Sequence, residues 1–333
     1  MASLDLDLTE PQQMLRDAVQ RLLADVEAPG WQALTAQLGL GGLTLPEAAG
    51  GFGGGVAEVA LVMAELGPAL AGADWLSHAA ACAGLAGIAP EFPLLEALAS
   101  GTARAALVCA ATAQGAPDLV DGVRLEGSAR LVAGGAGADL YVIAIGGNLA
   151  VIRADAPGLT REDRALHDGT LAADLHFAGA AAELVARAEA GALLDLVRAG
   201  RCAEAVGLMQ RMLTDTADYL NQRRQFGAPI ASFQALRHRL ADMQLAALQA
   251  AALTEQAVTA LAACDADAAV SLAAACVAVR DAARTVGEGA VQLHGAMGLT
   301  EELRLGARFK RVLAIAAGLG SEAQVLERFA AAA

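Results

Sequence analysis

The chain has 333 residues, of which 56% are hydrophobic and 3% aromatic, and its formal net charge at pH 7 is −14. This length exceeds the usual size of one hydrophobic core, so two or three packed units are expected. So acidic a surface repels phosphate backbones, which excludes nucleic-acid binding. Alanine and leucine dominate the hydrophobic fraction and favour helices, so the chain is predicted to be mostly helical.

The sequence also predicts a soluble, cytoplasmic protein that does not enter a membrane. Charged residues interrupt its Ala-rich stretches, so no uncharged apolar run reaches the roughly 18 residues of a membrane span. The N-terminal MASLDLDLTEPQQ is acidic and lacks the basic, apolar and small-residue zones of a signal peptide. The cysteines form no CxxC pair and are expected to be reduced, mostly buried thiols, and no metal site is predicted.

The first region, residues 1–103, is predicted to be helical. Thr9-Glu10-Pro11-Gln12 has the pattern of a capping box with proline in the first turn, and apolar residues follow at helical spacing from Leu15 to Val26. Residues 41–55 contain seven glycines. Because no GK[ST] follows and no strand precedes them, a structural crossing between helices is favoured over a phosphate cradle. A helix is predicted again at 56–66.

The pattern changes near residue 104 to short apolar runs separated by turn dipeptides such as Asp121-Gly122. Short strands at this spacing are typical of a small antiparallel barrel or sandwich. The predicted strands cover 105–110, 123–126, 129–133, 140–145, 149–153 and 174–177.

From about residue 185 the sequence predicts long helices at 190–222, from 232 onward and at 266–289, a shorter one near 303, and a last helix capped by Ser321. Long amphipathic helices with short connections indicate an antiparallel bundle. The predicted fold is therefore mainly α with a small central β domain. It consists of an N-terminal helical domain (1–103), a middle antiparallel β-barrel or sandwich (104–184) and a C-terminal four-helix bundle (185–333).

Two stretches of the last region carry more information than composition. Residues 221–234 read NQRRQFGAPIASFQ, and residues 291–300 read VQLHGAMGLT. With LPE and GG between 45 and 51 and ELG at 65–67, they resemble the acyl-CoA dehydrogenase family, whose domain order is also helical, β, helical. The resemblance implies FAD-dependent α,β-desaturation of an acyl-CoA thioester, with an electron-transfer flavoprotein as acceptor.

The residues of these stretches suit a dinucleotide. Arg223 offers a fixed fork of donors to a pyrophosphate, Phe226 an apolar wall, and Gln234 an amide for adenine or ribose. By the resemblance, Gln292 and Gly295 reach the flavin of the neighbouring chain. Any one of these residues alone also fits a cap or a core position, and the joint pattern favours the cofactor. The predicted cofactor set is Arg223, Gln225, Phe226, Ile230, Phe233, Gln234, Gln292, Leu293, Gly295, Ala296 and Ser321.

The family's reaction needs a carboxylate that takes the α-proton of the thioester while hydride leaves Cβ. The resemblance places it in the loop before the last helix or on the first long helix of the bundle. Those positions hold Leu319 and Val197 here. Glu204, two helical turns after Val197, is the remaining candidate base, against the alternative of a structural carboxylate. His238 and His294 are expected to support helix ends rather than act as bases.

The stretches at 112–118 and 131–135 also depart from the segments that touch the flavin ring in the family. The leading hypothesis is therefore an FAD-binding acyl-CoA dehydrogenase subunit that is active in a homodimer, homotetramer or heterotetramer. In the heterotetramer, a related acyl-CoA dehydrogenase chain supplies the base. A second hypothesis is a homodimer that uses Glu204 or another carboxylate for a related flavin reaction. A third is a non-catalytic scaffold subunit that stabilises a catalytic partner.

Overall fold

The computed structural model describes residues 4, 6–300 and 303–332. The chain divides into two compact units. One unit contains Met1–Gln13, Ala60–Leu70 and Ala199–Ala333, and the other contains Met14–Val59 and Ala71–Arg198. The three domain boundaries drawn from the sequence stay a prediction.

Four helices precede the strands: α1 (Glu10–Asp25), α2 (Val56–Leu66), α3 (Ala73–Ile88) and α4 (Leu95–Ala99). Thr9 stands just before α1, and its backbone N–H donates to Gln12 Oε1 at 3.0 Å, which is one half of a capping box. The sequence prediction for this helix start is confirmed.

The middle of the chain forms eight strands, namely β1 (Ala105–Val108), β2 (Asp118–Val120), β3 (Arg124–Ala133), β4 (Leu140–Ile145), β5 (Asn148–Arg153), β6 (Leu159–Ala165), β7 (Leu171–Ala181) and β8 (Leu184–Arg187). They make two four-stranded sheets, ordered β1-β4-β5-β8 and β2-β3-β7-β6. Buried side chains of both sheets, among them Ile143, Ile152 and Phe177, form one core. The predicted small sandwich is confirmed.

Three details of the sandwich differ from the prediction. The runs at 123–126 and 129–133 are one strand, β3, whose register shifts at bulges. β1 pairs with β4 in parallel, so the sandwich is not wholly antiparallel. Three edge strands, β2, β6 and β8, were missed. The sequence of β6, LTREDRA, is polar, and all of its residues after Leu159 are exposed.

The last part of the chain contains α5 (Gly191–Gln222), α6 (Gln234–Ala262), α7 (Ala268–His294), α8 (Leu305–Gly318) and α9 (Glu322–Ala332). A two-residue hairpin, β9 (Arg224–Gln225) and β10 (Ala228–Pro229), lies between α5 and α6. Helices α6 and α7 approach closely at Gly289, where an added Cβ would lie 2.6 Å from Met243 Sδ. Together these helices confirm the predicted C-terminal helical bundle.

Among the described residues, one helix is apolar and long enough to cross a membrane by length and composition. It is α6, and 28% of its most apolar window is buried. Core helices of soluble proteins have the same composition, but they are mostly buried, whereas most of this window of α6 is not buried within the chain.

The glycine-rich loop at 41–55 is packed against backbone rather than open to a ligand. A Cβ added at Gly41 would lie 2.7 Å from Ala99 O, and one at Gly51 would lie 2.2 Å from Leu45 O. Trp75 Nε1 donates to Leu40 O at 2.9 Å and ties α3 to this loop. These approaches favour the predicted structural crossing over the phosphate cradle.

His78 on α3 joins the loop to the first strand. Its Nε2–H donates to Gly41 O at 3.0 Å, and its Nδ1 accepts the N–H of Ala105, the first residue of β1, at 3.1 Å. The ring is therefore neutral, because a protonated Nδ1 could not accept that bond. Burial lowers the pKa of His78 from the ordinary 6.5 to about 4.

This depressed pKa makes the fold acid-sensitive. The stability contributed by a neutral His78 is present above pH 6.5 and is lost as the pH falls towards 4, because the unfolded chain takes up the proton first. Over that window the loss approaches about 3 kcal/mol. Denaturant unfolding of His78→Gln between pH 7 and 4 should show a flatter dependence than the unchanged chain.

The matched control is His167→Gln, because His167 is exposed. This variant should keep the pH dependence of the unchanged chain. An equally steep acid loss in His78→Gln would contradict the role assigned to this ring.

Candidate cofactor-binding site

The hairpin after α5 displays an aromatic ring to solvent. Its two turn residues, Phe226 and Gly227, have φ values of 53° and 82°. Positive φ at both central residues is the geometry of a type I′ turn, which asparagine and glycine normally occupy. Phe226 is nevertheless 91% exposed. An aromatic residue that is both strained and solvated indicates selection for a contact outside the chain's own core.

Arg223 precedes this hairpin and has a fixed backbone. Its N–H donates to Tyr219 O at 2.9 Å, and its carbonyl accepts the N–H of Ile230 at 2.8 Å. The side chain is exposed, and its guanidinium has no hydrogen-bond or ion-pair partner among the residues that the structure describes. A guanidinium on a fixed backbone with all its donors available suits a pyrophosphate.

The surroundings of Arg223 form a basic island in an acidic chain. Residues 219–241 contain four arginines and no aspartate or glutamate, whereas the whole chain carries −14. The arginines at 224, 237 and 239 are exposed as well. Local charge counting along the sequence gives this signal, which our sequence analysis missed. The local field attracts an anionic ligand.

The second predicted segment follows the C-terminal end of α7. Gln292 is exposed, and Gly295 has φ 61° and ψ −140°, a conformation open essentially to glycine alone. No atom lies within 4 Å of a Cβ added at Gly295, so the space beside its backbone is open. By contrast, a Cβ at Gly298 would lie 2.9 Å from Val291 O, which fixes the turn.

Both segments adjoin within one chain. The rings of Tyr219 and His294 stack with centroids 4.4 Å apart, and Tyr219 Oη donates to His294 O at 3.4 Å. Tyr219 lies one helical turn before Arg223, and His294 directly precedes Gly295. The resemblance assigned the segments to flavin from opposite chains. Within one chain the two segments lie side by side, and their assignment to opposite chains stays a prediction.

The remaining predicted cofactor residues differ in their exposure to solvent. Phe233 is 39% exposed and meets Phe226 edge to face at 6.0 Å, and Gln234 is exposed as the first residue of α6. Ile230 and Leu293 are each 8% exposed and pack beneath the surface. Ser321 lies elsewhere, directly before α9, where its Oγ accepts the N–H of Gln324 and caps this helix. Gln225 and Ala296 are exposed as well.

Glu204, the candidate base, is fully buried in an ion pair. Its Oε1 accepts from Arg311 Nε at 2.6 Å and its Oε2 from Arg311 Nη2 at 2.8 Å. The side chain has 0% exposure. A carboxylate held at both oxygens by a guanidinium and closed off from solvent is out of reach of a substrate proton. This geometry favours the structural alternative for Glu204, and its role as a base stays an untested prediction.

The two positions that hold the base in the family are apolar and buried here. Val197 is 1% exposed and Leu319 is 2% exposed. The loop around Leu319 is held by guanidinium groups, which donate to the carbonyls that end α8 and carry its negative dipole end. These bonds join Arg201 to Gly318, Arg280 to Gly320, and Arg328 to Leu319.

The stretches that depart from the family's ring-contact segments serve the fold of the sandwich. Thr112 is buried, and its Oγ1 donates to Leu107 O at 2.5 Å. Leu131 has φ 52°, and its N–H donates to Asp174 Oδ1 at 2.8 Å. This bond is the largest of the effects that hold the pKa of Asp174 below its ordinary value.

Together the two segments offer a donor set for a dinucleotide. They combine a cation without a protein partner, exposed amides and an exposed aromatic ring with open space beside a glycine backbone. Their chemistry fits the pyrophosphate and the adenosine half of FAD. Residues 221–234 and 291–300 contain no aspartate or glutamate, and their one histidine, His294, is 5% exposed and donates from Nδ1 to Ala290 O. Their chemistry therefore suits binding and orienting a cofactor.

The chain is similar to known proteins over nearly its whole length. A family described as "Acyl-CoA dehydrogenase, C-terminal domain" matches residues 180–333. Acyl-CoA dehydrogenase IpdE2 of Mycobacterium tuberculosis is 31% identical over 345 aligned positions, which cover 96% of this chain and 96% of IpdE2.

Two solved structures share the fold over nearly the whole chain. The ChsE4–ChsE5 complex from Mycobacterium tuberculosis matches with a TM-score of 0.87 and 25% identity, covering 98% of each chain. A variant of the Tcur3481–Tcur3483 steroid ACAD matches with a TM-score of 0.85 and 26% identity, covering 97% of each chain.

The structural role of Glu204 has a measurable consequence for stability. Glu204→Gln removes the buried carboxylate that accepts two bonds from the Arg311 guanidinium, which should lower the free energy of unfolding by about 3 kcal/mol. Replacing both residues with methionine should recover most of that loss, because both charges of the buried pair are then removed together. Denaturant unfolding of the single and double variants measures both effects.

The exposed pair Arg284–Glu288, at 77% and 55% side-chain exposure, provides the control. Glu288→Gln should cost no more than about 0.5 kcal/mol, because solvent screens this pair. A Glu204→Gln variant as stable as Glu288→Gln would refute the structural assignment.

Proposed function

The chain belongs to the acyl-CoA dehydrogenase family, and from this premise we propose that it is an FAD-binding subunit of an acyl-CoA dehydrogenase that desaturates a CoA thioester with a partner's base. One observation carries the proposal: the described surface keeps Arg223 and Phe226 available to a ligand, while Val197 and Leu319 occupy the base positions. The chain thus retains the means to bind the cofactor and lacks the means to take the α-proton.

In such a subunit, FAD supplies the acceptor for the hydride that leaves Cβ. Arg223 donates hydrogen bonds to the pyrophosphate, and Phe226 covers an apolar part of the cofactor. Gln292 and the open backbone at Gly295 contact it from the adjoining segment. Gln234, at the start of α6, offers its amide to adenine or ribose.

The base comes from a second chain in this proposal. Two observations support it: both usual base positions are apolar, and the remaining candidate carboxylate, Glu204, is paired with Arg311. The ChsE4–ChsE5 neighbour is a complex, and the Tcur3481–Tcur3483 neighbour is a steroid ACAD. We therefore propose a bulky CoA thioester, such as a steroid-derived one, as substrate, and an electron-transfer flavoprotein as electron acceptor.

Helix α6 supports an oligomeric assembly. Between Asp242 and Glu255 its sequence is uncharged, and on this stretch Leu245 and Leu248 are 66% and 49% exposed. A groove of about 470 Å³ continues this apolar surface and is lined by α6, α7 and α9, with Phe329 at its edge. An apolar surface of this kind indicates a protein partner. We propose that it packs against a second chain of the same family.

Cofactor binding is tested by exchanging one arginine at a time. Arg223→Gln should weaken FAD binding by about tenfold or more, because a charge-assisted hydrogen bond contributes roughly 1.5–3 kcal/mol. Fluorescence titration of the apoprotein with FAD, alone and with its co-expressed partner, measures the dissociation constant.

Arg224→Gln is the matched control, since Arg224 is the next residue and equally exposed. It should change FAD affinity by no more than about threefold, because only the general field of the basic island is reduced. Equal losses in both variants would remove the specific role of Arg223. A wild-type chain that takes up no FAD, alone or with a partner, would overturn the proposal and leave the scaffold hypothesis.

The oligomer surface is tested by native mass. Leu248→Glu should dissociate the assembly, because a charge on an apolar interface loses its hydration without gaining a partner. Leu171→Glu, at a position of the β-sandwich that is likewise 49% exposed, should leave the mass unchanged. An unchanged native mass of Leu248→Glu would show that this face of α6 is not the interface.

A further inference from the structure

We propose that Tyr219 and His294 form a positioning pair that sets the spacing between the two cofactor-binding segments. The inference rests on the proposed function, because it concerns how this chain presents its surface to FAD. Neither residue belongs to the predicted cofactor set. Tyr219 is half-buried and His294 is 5% exposed, so both act from beneath that surface.

The pair joins the ends of two helices. The rings lie 4.4 Å apart with an interplanar angle of 23°, which is a stacked arrangement. Tyr219 Oη donates to the carbonyl of His294 at 3.4 Å. That carbonyl belongs to the last turn of α7, where helical carbonyls lack partners within their own helix. Tyr219 thus caps α7 from α5.

Each ring is also fixed by its own helix. His294 Nδ1–H donates to Ala290 O at 2.9 Å, which locks the imidazole against α7. The carbonyl of Tyr219 accepts the N–H of Arg223 at 2.9 Å, so the residue that stacks also holds the last turn of α5. A displacement of either ring is therefore passed to the backbone of its segment.

The segments begin directly beyond the pair. Gly295 follows His294 directly, with φ 61° and ψ −140°, so the second segment leaves α7 at the residue after the stacked ring. Arg223 and the strained turn at Phe226 follow Tyr219. A ligand held by both segments at once tolerates only small changes in their spacing, about 0.5 Å. The stack supplies a rigid reference between them.

The alternative is a purely structural role, in which the two rings only fill the bundle core. It predicts that their loss lowers stability without a specific loss of FAD affinity. The two readings differ in the ratio of these effects, which variants with known core losses can calibrate.

Tyr219→Leu keeps an apolar side chain but removes the stack and the bond to the His294 carbonyl. It should weaken FAD binding by about tenfold or more, measured by fluorescence titration of the oligomer well below its melting temperature. Tyr219→Phe keeps the stack and should stay within about threefold of the unchanged chain. Rescue by Tyr219→Phe would assign the effect to the stacked ring rather than to the bond of Tyr219 Oη.

Leu208→Ala is the control for stability, because Leu208 is a fully buried residue of the same helix. It should lower the melting temperature at least as much as Tyr219→Leu does and leave FAD affinity within about threefold. Loss of affinity in Leu208→Ala equal to that in Tyr219→Leu would overturn the inference, as would unchanged affinity in Tyr219→Leu. If the unchanged chain takes up no FAD, the proposed function fails and the inference fails with it.

Discussion

The buried ion pair between Glu204 and Arg311 is the constraint on which the proposed function of this chain depends. Burying two charges is costly unless each donor and acceptor is satisfied, and the bidentate contact at 2.6 and 2.8 Å satisfies both carboxylate oxygens. The same contact joins α5 to α8 and closes Glu204 off from solvent. Val197 and Leu319 fill the two positions where the family resemblance places the base, so we propose that proton abstraction comes from another chain.

The proposed cofactor surface differs from the Glu204–Arg311 pair, because its polar groups are exposed. The guanidinium of Arg223 has no protein partner among the described residues, and Phe226 is solvated in a turn that favours glycine or asparagine. Such features reduce stability in an isolated chain, and a ligand or a second subunit offsets that cost. Beneath the surface, the Tyr219–His294 stack is well packed. The polar groups proposed to bind the cofactor are thus exposed, and the Tyr219–His294 stack lies directly beneath them.

The sequence predicted the features that depend on residues close together in the chain. The cap at Thr9, the bounds of α2 and the motif around Arg223 all depend on residues a few positions apart. Long-range pairs were beyond prediction: Arg311 lies 107 positions from Glu204, and His294 lies 75 positions from Tyr219. Without the fold, neither the pairing of Glu204 with Arg311 nor the adjacency of the two cofactor segments within one chain could be predicted. Strand β6 was missed because edge strands do not need an apolar face.

The most direct test of the account is reduction of bound flavin under anaerobic conditions, followed by visible absorbance. The FAD-loaded chain, alone and with its co-expressed partner, is mixed with butyryl-CoA or with a steroid-derived CoA thioester. The account predicts no bleaching by the chain alone and bleaching once the partner is present. Full bleaching by the chain alone at an enzymatic rate would contradict it, because a base would then have to lie within this chain.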